Sequence, residues 1–147
     1  MSDGSTRRAP QGVPPKSYPD VARRANHQCE YCLAPEEFFN SPFEVEHLVP
    51  RARGGADDPT NLALACRNCN GSKLARLMLH DPTTGAQVRI FNPRADRWSA
   101  HFTFELVESS IHIVGKDAIG RATATHLKMN SRKAVEARML WFEFYSR

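Results

Sequence analysis

The chain has 147 residues, 41% of them apolar, a formal net charge of +4 and four cysteines. That length suits one domain, or a small domain with an added lobe, and no run of about 18 apolar residues is present, so no membrane span is expected. The N-terminal stretch also lacks the apolar middle of a secretory signal, so a cytoplasmic protein is expected, in a compartment where structural disulfides are uncommon.

Residues 1–16, "MSDGSTRRAPQGVPPK", are rich in Pro, Gly, Ser and Arg without periodicity and read as a disordered tail. Ser17 is placed to cap a helix that tolerates Pro19 in its first turn, turns Val21 and Ala25 toward a core, and ends near His27. It delivers Cys29 and Cys32 on a tight knuckle. Phe43, Val45 and His47 then alternate with Glu44, Glu46 and Leu48, a short strand stopped by Pro50. "RARGGADDPTN" is a loop broken by Gly54-Gly55 and Pro59, and "LALAC" a second short strand. "NCNGSKLARLMLH" predicts a helix of about ten residues, with Leu74, Leu77 and Met78 on its apolar side and Pro82 beyond its end.

Further on, "QVRIFNP" and "HFTFELVESSIHIVG" read as strands, the second folded at "ESS". "DAIGRATATHLKMN" and "SRKAVEARMLWFEFY" read as helices, with Asp117 and Ser131 as caps and Asn130 as a stop. In the last helix Val135, Met139 and Phe142 form an apolar stripe. It is predicted to cover the sheet face of Phe102, Phe104 and Leu106; a dimer or partner surface is the alternative.

The cysteines fall in two C-x2-C pairs, Cys29/Cys32 and Cys66/Cys69. In a reducing compartment that spacing points to metal. Four thiolates suit a closed, tetrahedral, structural Zn2+ site, with an iron–sulfur centre as the competitor. Zinc at such sites is worth roughly 10–16 kcal/mol in small peptides, enough to hold a little core together. If zinc saturates the sulfurs, the chemistry lies between and beside them. There, Glu46, His47, Asn61 and Asn70 are the chemically able side chains. A carboxylate and an amide oxygen suit a hard divalent ion, and a neutral imidazole can take a proton from water. With one ion, this set could hydrolyse a phosphodiester. Residues 47–77 add Arg51, Arg53, Arg67, Lys73 and Arg76 against Asp57 and Asp58, a local basic excess that fits a polyanion. A solvated surface is the plain alternative for each of them.

The run "EH…P…GG…N…L…CxxCNxxK" with an upstream CxxC, over residues 29–79, resembles the HNH endonuclease family. The resemblance implies a ββα-metal core of two short strands and a helix around one ion, with a zinc-ribbon elaboration. It implies Glu46 and Asn70 as ligands of the catalytic ion, His47 as general base, and Asn61 as the residue that orders the loop. In letters the chain is HNN rather than HNH, and Glu stands where Asp or His is usual. Glu46 and His47 are also neighbours, which in a regular strand would face opposite ways.

The sequence therefore predicts an α+β protein in three parts: the tail at 1–16, a nuclease core with zinc knuckles at 17–80, and a C-terminal hairpin-and-helix lobe at 81–147 packed on it. The predicted activity is hydrolysis of DNA, RNA remaining open, with structural Zn2+ and catalytic Mg2+ or Mn2+ as cofactors. The chain is expected to act as a monomer or dimer. A non-catalytic zinc-ribbon DNA-binding module and a protein-interaction adaptor are the alternatives from other classes.

Overall fold

The computed structural model describes residues 15–147, so nearly all of the expected tail lies outside the described residues. The first element is α1 (Tyr18–Arg24), which buries Val21 and Ala22. It packs against an antiparallel pair, β1 (Glu44–His47) and β2 (Leu62–Ala65), whose register sets Glu44 opposite Ala65 and His47 opposite Leu62. All four residues of β2 are buried, as a continuous apolar run should be. Cys66 follows directly as the N-cap of α2 (Arg67–Lys73), its sulfur accepting the amide hydrogen of Cys69. Two strands and a helix thus fold around the cysteine-bearing segments.

The helix expected to run on from "NCNGSK" stops early. Leu74 takes a left-handed conformation, φ 54°, and ends α2 after seven residues. Residues Met78–His80 form β3, which pairs with β4 (Gln87–Arg89). The signal was there in the alternation: Met78 and His80 are exposed and Leu79 is buried, a period of two that the leucine spacing disguised. The hairpin turn is built on buried Asp81, which accepts hydrogen bonds from Thr83 N and Thr84 Oγ1 and takes a two-pronged contact from Arg121 at 3.0 and 2.8 Å. The boundary expected at residue 80 falls at this turn, between the two strands of the hairpin.

After a short helix α3 (Trp98–His101), β5 (Phe102–Val107) and β6 (Ser110–Gly115) form a second hairpin. Glu108 and Ser109 both have positive φ at its turn, as a tight two-residue connection requires. α4 (Ala118–His126) and α5 (Arg132–Tyr145) complete the chain. Asp117 and Ser131 accept from the backbone amides of Gly120 and Ala134, the N-caps their residue types predict.

The last helix meets the sheet with a rotation of about one residue from the predicted stripe. Arg138 and Trp141 are its buried residues, while Val135, Met139 and Phe142 lie at the margin. Phe104 stacks edge-on to Phe142 and Trp141, with ring centroids 5.0 and 6.1 Å apart, but Leu106 is 75% exposed. The helix reaches the far end of the hairpin on its β6 side, where Arg138 donates to Ile111 O opposite Leu106.

The lobe is joined to the core by one continuous apolar cluster. Phe91 is its hinge: it is buried, edge-on to Tyr31 between the two knuckle cysteines, and edge-on to Phe102 at 5.1 Å. Trp98 Nε1 donates to the Tyr31 carbonyl at 2.8 Å, and Arg94 pairs with Glu30. Phe91→Ala should therefore loosen lobe and core together. A loss of about 3–5 kcal/mol in urea unfolding is expected for an aromatic removed from a packed interior.

Candidate metal centre and active site

The four cysteines converge. Their sulfurs all lie within 4.8 Å of one another and all four residues are buried. Cys32 Sγ is 3.8 Å from Cys66 Sγ. A tetrahedron with metal–sulfur bonds of about 2.3 Å puts its sulfurs ~3.8 Å apart, whereas a disulfide would need about 2 Å. Each knuckle turns one backbone amide onto a sulfur: Cys32 N onto Cys29 Sγ, and Cys69 N onto Cys66 Sγ. Leu33 closes the first knuckle in a left-handed conformation, φ 65°. Hydrogen bonds from the other three hold the Cys66 thiol far below its ordinary range, while hydrogen bonding with Cys29 first, and burial, push Cys32 and Cys69 above it. The donor set, its spacing and its burial fit a zinc ion bound by four thiolates.

The strand β1 divides its residues between two faces. Glu46 points inward and is 5% exposed. One of its oxygens meets Lys73 Nζ at 3.1 Å and the other accepts the Tyr31 hydroxyl. Burial pushes the Glu46 carboxyl up, against the pull of the Lys73 charge and the Tyr31 hydrogen bond. Lys73 is only 1% exposed and also faces the carbonyls of His47 and Leu48, each at 3.4 Å. Lys73 was expected on the nucleic-acid surface. The structure instead buries it, because its helix face turns toward β1 and the Glu46 carboxylate holds it there.

His47 lies on the other face, half-buried, with Nε2 donating to Asp57 Oδ1 at 2.7 Å. Arg51 Nε holds the same oxygen at 3.0 Å. These two hydrogen bonds, His47 first, lower the Asp57 carboxyl below its usual range. Asn61 clamps the connecting loop: its Nδ2 donates to Val49 O and Ala56 O, and its Oδ1 accepts from Val49 N, all between 2.9 and 3.1 Å. The glycine pair makes this clamp possible. Gly54 has φ 87°, and a Cβ on Gly55 would come within 1.7 Å of the Val49 carbonyl oxygen.

Asn70 sits one turn before Lys73 on α2 and is met by a residue the sequence reading passed over. Glu44 Oε1 accepts from Asn70 Nδ2 at 2.6 Å, with Arg67 Nε 3.7 Å from the other Glu44 oxygen. The available signal was parity: Glu44 stands two residues before Glu46 and so shares its strand face. Asp57 was passed over as well, since only the folded loop reveals that it reaches His47. Arg51, Arg53, Arg67 and Arg76 are exposed; Arg76 leans on His126 Nδ1 at 3.5 Å.

The HNH endonuclease family model matches residues 29–76, the segment that holds every residue of this site. A 68-residue stretch is 43% identical to the CRISPR-associated endonuclease Cas9 of Corynebacterium diphtheriae, covering 43% of this chain and 6% of that protein. The chain thus aligns with only a small part of that relative. No solved structure matches. Cys66→Ser, which removes one sulfur but leaves a hydroxyl able to cap α2, should abolish zinc binding and the cooperative melting transition, read by elemental analysis and thermal unfolding.

Proposed function

With residues 29–76 forming an HNH endonuclease domain, we propose that this chain is a divalent-cation-dependent endonuclease that hydrolyses DNA phosphodiester bonds. The observation that carries the reading is the state of His47. Its Nε2 is committed to Asp57, and its Nδ1 has no protein partner among the described residues. A carboxylate on Nε2 keeps the proton there and leaves Nδ1 as the lone pair that takes a proton from the attacking water. Asn61 ties the loop that carries Asp57, and Arg51 holds the Asp57 oxygen that meets the imidazole.

Glu46 and Asn70 are the residues that would hold the catalytic ion, which requires Glu46 to release Lys73 and Tyr31 from its two oxygens. Glu44 takes the amide nitrogen of Asn70 and leaves its carbonyl oxygen for a ligand. At Glu46, the Lys73 ammonium supplies the positive charge, among the carboxylate and two backbone carbonyl oxygens. A set of carboxylate, amide and carbonyl oxygens suits Mg2+ or Mn2+. When bound, such an ion supplies stabilisation of the charge that builds on the phosphate and the leaving oxygen. Arg51, Arg53, Arg67 and Arg76 are the exposed cations that would bind the phosphate backbone, and zinc on the four cysteines would keep β1 and α2 in place. The nuclease core would span residues 17 to about 76, with the rest as a supporting lobe.

The Glu46–Lys73 pair favours a second reading, a zinc-stapled DNA-binding module that has lost its ion. One assay separates the two. Wild-type protein should nick plasmid with Mg2+ or Mn2+ and stop on addition of EDTA. His47→Ala should lower nicking by roughly 10²–10⁴-fold and leave DNA affinity and zinc content unchanged. Equal nicking by the variant would overturn the mechanism, and binding without nicking by the wild type would favour the module. Lys73→Met tests the ion site apart from catalysis. It leaves a buried carboxylate unpaired, at a cost of roughly 3–5 kcal/mol, and Mn2+ should restore more of the melting temperature in this variant than in the wild type.

A further inference from the structure

Arg138 lies in the buried face of α5, 3% exposed. Its guanidinium donates to three oxygens: Ile111 O at 3.0 Å, Met129 O at 2.6 Å and Asn130 Oδ1 at 3.2 Å. All three are neutral. Each of the buried carboxylates has its own partner: Glu46 has Lys73, and Asp81 has Arg121. No carboxylate lies within ion-pair distance of Arg138 among the described residues, so it is a buried cation with its hydrogen bonds satisfied and its charge unpaired.

A buried charge without a counter-charge is costly, and native interiors supply one. The cysteines share one buried cluster with Met129, whose carbonyl Arg138 holds. Burial pushes the Arg138 guanidinium down, and the groups that pull it back up are Cys32, Cys69 and Cys66. The backbone path is short. Asn68, between Cys66 and Cys69 on α2, donates to Leu127 O and Lys128 O, and the next two residues, Met129 and Asn130, hold Arg138. A zinc ion bound by four thiolates carries a net charge of about −2, which a buried cation nearby offsets.

We propose that Arg138 is the internal counter-ion of the four-cysteine zinc centre, so that the C-terminal helix sets the affinity of a metal site to which it contributes no ligand. The proposal rests on zinc being bound at that centre, and the metal content of the wild-type protein checks that separately: a wild type free of metal ends the zinc reading and this proposal with it. Outer-sphere partners of a metal site change affinity by roughly 10–100-fold. Arg138→Met, which keeps length and removes charge, should weaken zinc binding by that factor in competition with a chromophoric chelator, using the full chain. It should also shift the sulfur-to-metal charge-transfer band of the cobalt-substituted protein. Arg138→Lys, which keeps the charge, should stay near the wild-type affinity.

Asn130→Ala is the control for a merely structural role. It removes one Arg138 contact and both Asn130 bonds to Ile113 without touching a charge, and should lower the melting temperature while leaving zinc affinity unchanged. Unaltered zinc affinity in folded Arg138→Met would overturn the proposal. So would an equal loss in Asn130→Ala, since packing alone would then explain it. Should Arg138→Met fail to fold, Arg138→Lys decides: affinity near that of the wild type supports the charge role, and a loss as large as that of Asn130→Ala ends it.

Discussion

Four sulfurs gathered within 4.8 Å are the constraint on which the other contacts depend. Cys29 and Cys32 stand before β1, and Cys66 and Cys69 stand on the first turn of α2, so the cluster closes the chain around the two strands between them. That segment is too short to bury a large core of its own. Its interior is the four-residue run of β2, a few apolar neighbours from α1, and the cysteines themselves. The angle at which α2 meets β1 follows from the cluster, and with it the pairings of Asn70 with Glu44 and of Lys73 with Glu46.

The division of β1 into two faces follows from strand geometry. Neighbouring side chains of a strand point apart, so Glu46 and His47 enter different environments although they are adjacent. Glu46 goes to a buried site where desolvation raises its carboxyl against the pull of Lys73 and Tyr31. His47 goes to a half-open edge where the loop supplies Asp57. The His47 side chain is 21% exposed, that of Glu46 only 4%. Positive charge is already present on the Glu46 side, in the form of a lysine.

The C-terminal lobe is more than an appendage. It places Trp98 on the backbone of the first knuckle, Phe91 against Tyr31, and Arg94 on Glu30. These contacts all fall on the cysteine-bearing segments. The His47 side chain makes its hydrogen bond within its own loop, to Asp57. The lobe therefore stiffens the scaffold from behind.

How much of this was legible in the sequence depended on how local the cause was. Caps at Asp117 and Ser131, the strand at "LALAC", the turn at "ESS" and the convergence of two C-x2-C knuckles are dictated by nearest neighbours or by fixed spacing, and the residues announce them. The stop of α2 at Leu74 was not announced, because leucine is a good helix former and only tertiary pairing of Met78–His80 with Gln87–Arg89 outbids it. Nor was the burial of Lys73 and Arg138, since a charged residue enters an interior only when a distant partner is waiting, and a one-dimensional pattern does not contain that partner. The chain by itself determined its helix caps at Asp117 and Ser131, its knuckles and the chemistry of its ligands. Which carboxylate met which cation was decided by the packing, because electrostatic pairing depends on distance in space and not on separation along the chain.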